Sequence, residues 1–318
     1  PPGLFNKWRH VVETRGGLLE LSRDMESQLE FGNAKLFEAQ KLLEESKWKS
    51  DVLRTYTKKS LVDIIDDGEN PRERAPSTAD EAIMVCDLRR FTRLSKTMKP
   101  DELVRFLNRF FDLMNESIIE NQGEIDKLMG DGILARFETV QLAVEAAIQM
   151  HKAIDVYNIE RASFDRKTLA ISVGIAYGSV VHGNIGSAMK MDYTLIGQPV
   201  NTASLMESLT RRFNARIIIC DSTCARLENG HDIFPLGIVE TEKGKSAEIY
   251  ELFDADSPAR RELKRVVLKR IHDAKTILNS NNTVSKNDIV QEISDLIRAS
   301  DPENEFKLQQ RLRAVAGD

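Results

Sequence analysis

The sequence predicts an α+β fold: a mixed domain of strand–helix–strand–strand–helix–strand order, with a long amphipathic helix before it and a helical tail after it. Three observations predict this. Two apolar or alternating runs, residues 83–86 and 125–129, each end at a turn that carries a carboxylate, Asp87 and Asp131. Between them Leu103, Phe106, Leu107, Phe110, Phe111, Met114 and Ile118 recur at i, i+3, i+4 and i+7, the stripe of one core helix. Upstream, residues 8–56 contain no proline and are rich in Leu, Glu, Lys and Gln.

The elements follow in order. Leu18 and Met25 are seven residues apart, as are Leu29, Leu36 and Leu43, with Phe37 and Leu42 alongside. This imperfect heptad seam predicts a parallel dimeric coiled coil, because a stripe of such length must bury itself. The alternative is a helix lying on its own domain. Gly16-Gly17 and Gly32 interrupt the seam. Residues 53–65 continue the helix, with Leu61, Ile64 and Ile65 as anchors. Asp66-Asp67-Gly68-Glu69-Asn70-Pro71 breaks it. The predicted divisions are 1–65 helix and coupling element, 66–80 linker, 81–254 mixed domain and 255–318 helical extension.

Within the mixed domain, the run ending at Asp87 reads as a buried strand. Gly130-Asp131-Gly132 reads as a hairpin turn, with 133–137 as the return strand. A second helix spans about 140–158, with Ala143, Ala146, Ala147, Met150 and Ile154 on one face. Residues 169–175 alternate as a strand, which completes the ferredoxin-like βαββαβ order. A glycine-punctuated strand and loop, 178–186, comes next, then a turn into a helix at 197–201, with Pro199 in its first turn. Residues 216–220 form a further strand, and 234–240 with 247–253 form a hairpin about Lys243-Gly244-Lys245. The tail from 258 carries Val266, Val267, Ile271, Leu278, Ile289, Ile293 and Ile297. It is too short for a substantial core of its own. It packs on the domain, extends a dimer interface or belongs to a larger regulatory piece.

The 318 residues are 41% hydrophobic and 30% charged with a net charge of −5, which suits a soluble globular protein and gives no footprint for nucleic acid. No apolar run approaches the ~20 residues of a membrane span. No signal peptide is apparent, and the chain opens on Pro1, so a trimmed fragment is expected. Cys86, Cys220 and Cys224 are too few and too oddly spaced for a disulfide framework or zinc site, and they predict packed thiols in a reducing, cytoplasmic setting. The five His residues lack metal-ligand spacing.

If the two carboxylate-ending strands pair, Asp87 and Asp131 meet at one edge. Two such groups repel unless a cation lies between them. Mg²⁺ takes one or two carboxylates together with substrate phosphates, so the pair predicts a divalent-metal site for a nucleoside triphosphate. The alternative is that each Asp caps its own turn.

At these residues the chain resembles a known family. Asp87-Leu88-Arg89-Arg90-Phe91-Thr92 resembles the Asp-Ile-x-Gly-Phe-Thr motif of the class III nucleotidyl cyclases, and 125–131 resembles their second metal motif. Residues 178–186 resemble their Gly-x-Val-x-x-Gly-Asn-x-Gly segment. The likeness runs from about residue 81 to 253. It implies conversion of ATP to 3′,5′-cyclic AMP and pyrophosphate by attack of the ribose 3′ oxygen on the α-phosphorus. It implies two Mg²⁺ or Mn²⁺ ions on Asp87 and Asp131, with the Leu88 carbonyl as a further ligand. Lys127 and Thr194 occupy the purine-specifying positions. Lys donates to adenine N1 and Thr accepts from the amino group, whereas guanylyl members carry residues like Glu and Cys there. Asn201 matches the ribose-orienting Asn, and Lys243 matches the Lys that holds the terminal phosphates. The resemblance further implies a homodimer, each site taking its two Asp residues from one protomer and Lys127, Thr194 and Asn201 from the other. The N-terminal helix then couples an upstream sensor to the site.

Two positions depart from the family. The transition-state Arg, four residues after Asn201, is replaced by Leu205, and the motif Gly is Arg90. The paired change suggests that Arg90 supplies the missing charge. Arg211 and Arg212 lie ~9–10 Å or more along the helix axis from Leu205 and are weaker candidates. Losing one preorganised cation costs roughly 10²–10³ in rate, so the competing reading is a weak or inactive nucleotide-binding homologue. Guanylyl and diguanylate cyclases are further alternatives. The first is opposed by Lys127 and Thr194, the second by Gly130-Asp131-Gly132 and the Asn201 segment.

Overall fold

The computed structural model describes residues 2–187, 189–241, 246–280 and 295, with side chains for 27–29, 31–187, 189–241, 246–273 and 295. The chain divides into two compact units, 1–68 and 69–318.

The first unit is helix α1 (Pro2–Thr55) followed by α2 (Lys59–Asp66). The helix runs through all three glycines, but it does not continue unbroken from 53 to 65. The Thr55 hydroxyl donates to the Asp51 carbonyl (3.0 Å) and the Thr57 hydroxyl to the Leu53 carbonyl (2.6 Å). Such back-bonding competes with the helical ladder and ends it. Arg54 spans the break and meets both carboxylate oxygens of Asp66 at 2.9 and 3.0 Å. Leu29, Leu36, Phe37, Leu42 and Leu43 are all more than half exposed in the single chain. The side chains of Leu18 and Met25 lie outside the described residues.

The second unit opens with a 3₁₀ turn, Pro71–Glu73, then strand β1 (Ser77–Leu88), α3 (Phe91–Ser95), α4 (Pro100–Glu120), β2 (Glu124–Met129), β3 (Gly132–Phe137) and α5 (Val140–Ser163). Next come β4 (Ile171–Ser187), β5 (Lys190–Ile196), α6 (Gln198–Phe213), β6 (Ile217–Cys220), α7 (Asp221–Cys224), β7 (Ile233–Glu240), β8 (Ser246–Leu252) and α8 (Pro258–Ser280). The sheet runs β2-β3-β1-β4-β6-β8-β7, with β5 added to β4. Its first four strands carry the expected βαββαβ unit.

β1 lies inside that sheet, between β3 and β4, and both of its faces are buried. Met84, Cys86 and Leu88 join Phe106, Phe110, Met114 and Ile118 of α4 and Ala143, Met150 and Ile154 of α5. Ile83 and Val85 face the opposite layer with Ala203, Met206 and Phe213 of α6. A strand covered on both faces reads as an unbroken apolar run, as 83–86 does.

Several boundaries differ from expectation, each for a non-local reason. Residues 77–80, read as linker, are strand because β4 supplies a partner for all of β1, from Ser77↔His182 to Leu88↔Ile171. The glycine-punctuated 178–186 segment is part of β4 rather than a loop, since it pairs with β1 and then with β5. α5 extends to Ser163, and the short helices α3 and α7 were not anticipated. The hairpin strands β7 and β8 are present, while its turn at 242–245 lies outside the described residues.

The start of the tail packs on the domain. Val267 and Ile271 join Phe213, Phe234 and Phe253. Buried Lys264 meets Glu251 at 2.8 Å and also binds Asp256. Arg261 and Arg265 converge on Asp232 at 2.6 and 2.8 Å. Ile289, Ile293 and Ile297 lie outside the described residues. Among the described residues, no helix is long and apolar enough to cross a membrane.

α6 seats directly on β4. A Cβ at Gly174 would lie 2.2 Å from both the Ala203 carbonyl oxygen and the Glu207 nitrogen. Both obstacles are backbone, so nothing there can swing aside. Gly174→Ala is therefore expected to cost about 1–3 kcal/mol through overpacking, read from the urea midpoint at unchanged slope.

Candidate active site

β1 delivers Asp87 beside the β2–β3 turn. The register Cys86↔Ile133 places the turn at the end of β1. Gly130, at φ +68°, makes the left-handed step that the turn needs. A Cβ on Gly132 would stand 3.6 Å from Asp87 Oδ1 and 3.3 Å from the Cys86 carbonyl oxygen. Small residues on both sides of Asp131 thus let the turn close onto the strand. The Asp131 carboxyl is pushed up to about 6, by burial first, then by the charge of Asp87 and a hydrogen bond with it. The two carboxyl groups meet as expected.

A cation also sits there. The Arg211 guanidinium donates to Asp87 Oδ2 and lies 3.4 Å from Glu207 Oε1. Arg211 thus reaches the Asp pair despite its distance from Leu205. The C-terminal half of α6 is the part that reaches the end of β1. The buried Glu207 carboxyl is itself pushed up, by burial first and then by Asp87, against the pull of Arg211. Neighbouring Arg89 turns inward. Its Nε donates to Ser172 Oγ at 2.8 Å, and its terminal nitrogen donates to the Ala215 carbonyl. Burial holds it down at about 10. Arg89 and Glu207 were not singled out from sequence, and Arg211 was named only as a weaker candidate than Arg90. Their signal was helical spacing, with 207 and 211 one turn apart, and it pointed to no strand.

Arg90 is exposed and left-handed, with φ 62° and ψ 24°. That conformation accounts for glycine in the motif it departs from. Arg90→Gly should relieve the strain and raise stability by about 0.5–1 kcal/mol, measured by denaturant titration. Leu205 packs against the second apolar cluster, and Asn201 is exposed in the first turns of α6. Leu88 is buried at the end of β1. Lys243 lies outside the described residues.

Lys127 and Thr194 come together on a residue that sequence reasoning passed over. The Thr194 hydroxyl donates to Asp126 Oδ2 at 2.7 Å, and Lys127 Nζ lies 3.5 Å from the same oxygen. β2 shifts register between Ile125 and Lys127, leaving Asp126 outside the regular pairing.

The donor set at the turn suits a hard divalent cation. Two adjoining carboxylates hold one acid group well above its usual range, and a guanidinium already partly offsets their charge. Among the described residues no group of three or more His, Cys, Asp or Glu is arranged to hold a metal, and a cation here would find a carboxylate pair. Such a share leaves coordination positions for phosphate oxygens.

A central strand ending on Asp87, paired to a hairpin tipped by Asp131, defines a nucleotidyl cyclase domain. The profile of the adenylate and guanylate cyclase catalytic domain family matches residues 74–253, more than half of the chain, and the chain belongs to that family. It is 37% identical over 195 residues to an adenylate cyclase of Anabaena cylindrica, an alignment covering 58% of this chain and 39% of that protein. It is 33% identical over 196 residues to the terminal-differentiation specific adenylate cyclase of Dictyostelium discoideum, covering 58% of this chain and 9% of the other. The chain thus spans well under half the length of these relatives. A solved bacterial light-regulated adenylyl cyclase superposes with TM-score 0.63 at 26% identity, over 69% of this chain and 65% of that one.

Proposed function

We propose that this chain is an adenylyl cyclase catalytic unit that converts ATP to 3′,5′-cyclic AMP and pyrophosphate. The observation that carries the reading is the Asp87–Asp131 pair drawn together at the β1 end. The adenylate cyclase relatives favour the same product class. Two Mg²⁺ or Mn²⁺ ions held by Asp87, Asp131 and the Leu88 carbonyl would lower the pKa of the ribose 3′ hydroxyl and neutralise the triphosphate. Lys127 donates to adenine N1, and the Thr194 oxygen accepts from the amino group. Asn201 orients the ribose, and Lys243 holds the terminal phosphates. The reaction needs positioning and charge neutralisation more than covalent help from side chains.

The site is assembled across a homodimer, each protomer lending its Asp pair to the other's Lys127, Thr194 and Asn201. Pairing of the exposed α1 seam sets how the protomers meet and transmits the state of an upstream sensor in the cytoplasm. Leu205 favours a second reading, a slow enzyme, because an apolar side chain stands where the family has its phosphate-contacting Arg. Either Arg90 or Arg211 compensates. Both side chains are exposed, and Arg211 already reaches Asp87. Comparing turnover of Arg90→Gly, Arg211→Ala and Leu205→Arg separates them, and unchanged turnover in Arg90→Gly eliminates Arg90.

The test of the main reading is incubation with each of the four nucleoside triphosphates and Mg²⁺ or Mn²⁺, with products identified by mass. Cyclic AMP in excess supports it. No cyclic product, or faster turnover of GTP, overturns it.

A further inference from the structure

We propose that Asp126 sets the base preference of this site by committing the Thr194 hydroxyl to a single hydrogen-bonding role. The inference rests on the reading of Lys127 and Thr194 as the base-contacting pair. A threonine hydroxyl carries one proton and two lone pairs, so alone it greets a donor or an acceptor equally well. Adenine presents an amino group at position 6, and guanine presents a carbonyl oxygen. An unconstrained Thr194 therefore discriminates poorly between them. Here the proton is spent. Thr194 Oγ1 donates to Asp126 Oδ2 at 2.7 Å, and both residues are buried, at 7% and 6% exposure. A carboxylate only accepts, so the Thr194 oxygen is left with lone pairs alone. It then welcomes an amino group and repels a carbonyl oxygen.

The same carboxylate oxygen lies 3.5 Å from Lys127 Nζ. An ammonium only donates, which suits the bare N1 of adenine and opposes the protonated N1 of guanine. Asp126 thus fixes the direction of the Thr194 contact to match the one the Lys127 ammonium already has. The contact joins β2 to β5, strands that do not pair with each other, so it is not a by-product of the sheet ladder. It uses the residue that the β2 register shift leaves outside regular pairing. Asp126 acts through the Thr194 hydroxyl and is a positioning residue.

The readout is the ratio of kcat/KM for ATP to that for GTP. Asp126→Val removes the acceptor and keeps a strand-compatible shape. It is expected to lower the ratio about tenfold, because hydrogen-bond mismatches in buried sites discriminate strongly. In a Thr194→Val background the same substitution should change the ratio by less than about twofold, since the hydroxyl it controls is gone. A ratio within about twofold of wild type in Asp126→Val, or an equal fall in both backgrounds, overturns the proposal. Thermal melting identifies folded variants, and Asp126→Ser, which frees the hydroxyl to rotate, replaces any that fails. Displacement of a fluorescent ATP analogue by ATP and by GTP gives the corresponding ratio of affinities, which should shift in the same direction. A wild type that forms no cyclic nucleotide overturns the enzymatic reading, while the displacement ratio still decides the role of Asp126.

Discussion

Asp131→Asn should abolish measurable turnover and, in the metal-free protein at pH 8, raise the melting temperature. The two effects share one cause. Asp131 is held at about 6 in the fold, against an ordinary 3.8, by burial and by Asp87. A carboxyl raised in this way favours the fold fully only below its unfolded value, and that advantage is lost as pH rises through 6. At pH 8 the ionised side chain therefore opposes folding, and a neutral amide of the same shape removes the penalty. The activity loss follows from what the charge is kept for. An amide leaves one anionic ligand where the pair held two, and turnover should drop at least about 10²–10³-fold. Enzymatic loss with a lower melting point would mean that the side chain is structural.

The second large effect is recovery on mixing. Asp87→Ala and Lys127→Ala chains should each be inactive alone. Random exchange puts half of all chains into mixed pairs, and each mixed pair has one site with both halves intact. An equimolar mixture should thus regain about a quarter of wild-type activity if the site is shared across a two-fold. Recovery must also depend on protein concentration, because dilution separates the halves. No recovery after exchange places the whole site within one chain.

The sequence made the central strand, the two main helices and the Asp pair readable for a common reason: each is the end or the stripe of a local pattern. Asp87 closes an apolar run, and Asp131 sits between two glycines. What escaped depends on partners far along the chain. Residues 77–80 are polar and become strand only because β4 lies beside them. Arg211 is an ordinary helix residue until α6 is laid across the end of β1. Asp126 looked like part of an alternating strand. The register shift that frees it, and the hydroxyl 68 positions away that it binds, leave no trace in its neighbourhood. The family motifs named Lys127 and Thr194 but not the group between them.

The backbone-to-backbone seat at Gly174 limits where control can enter. Asn201, Glu207 and Arg211 all ride on α6, and at Gly174 the backbone of α6 meets β4 with no side chain between them. Sliding that one helix along the strand would have to break this seat. Control is therefore expected to move helix and strand together, as a single casting.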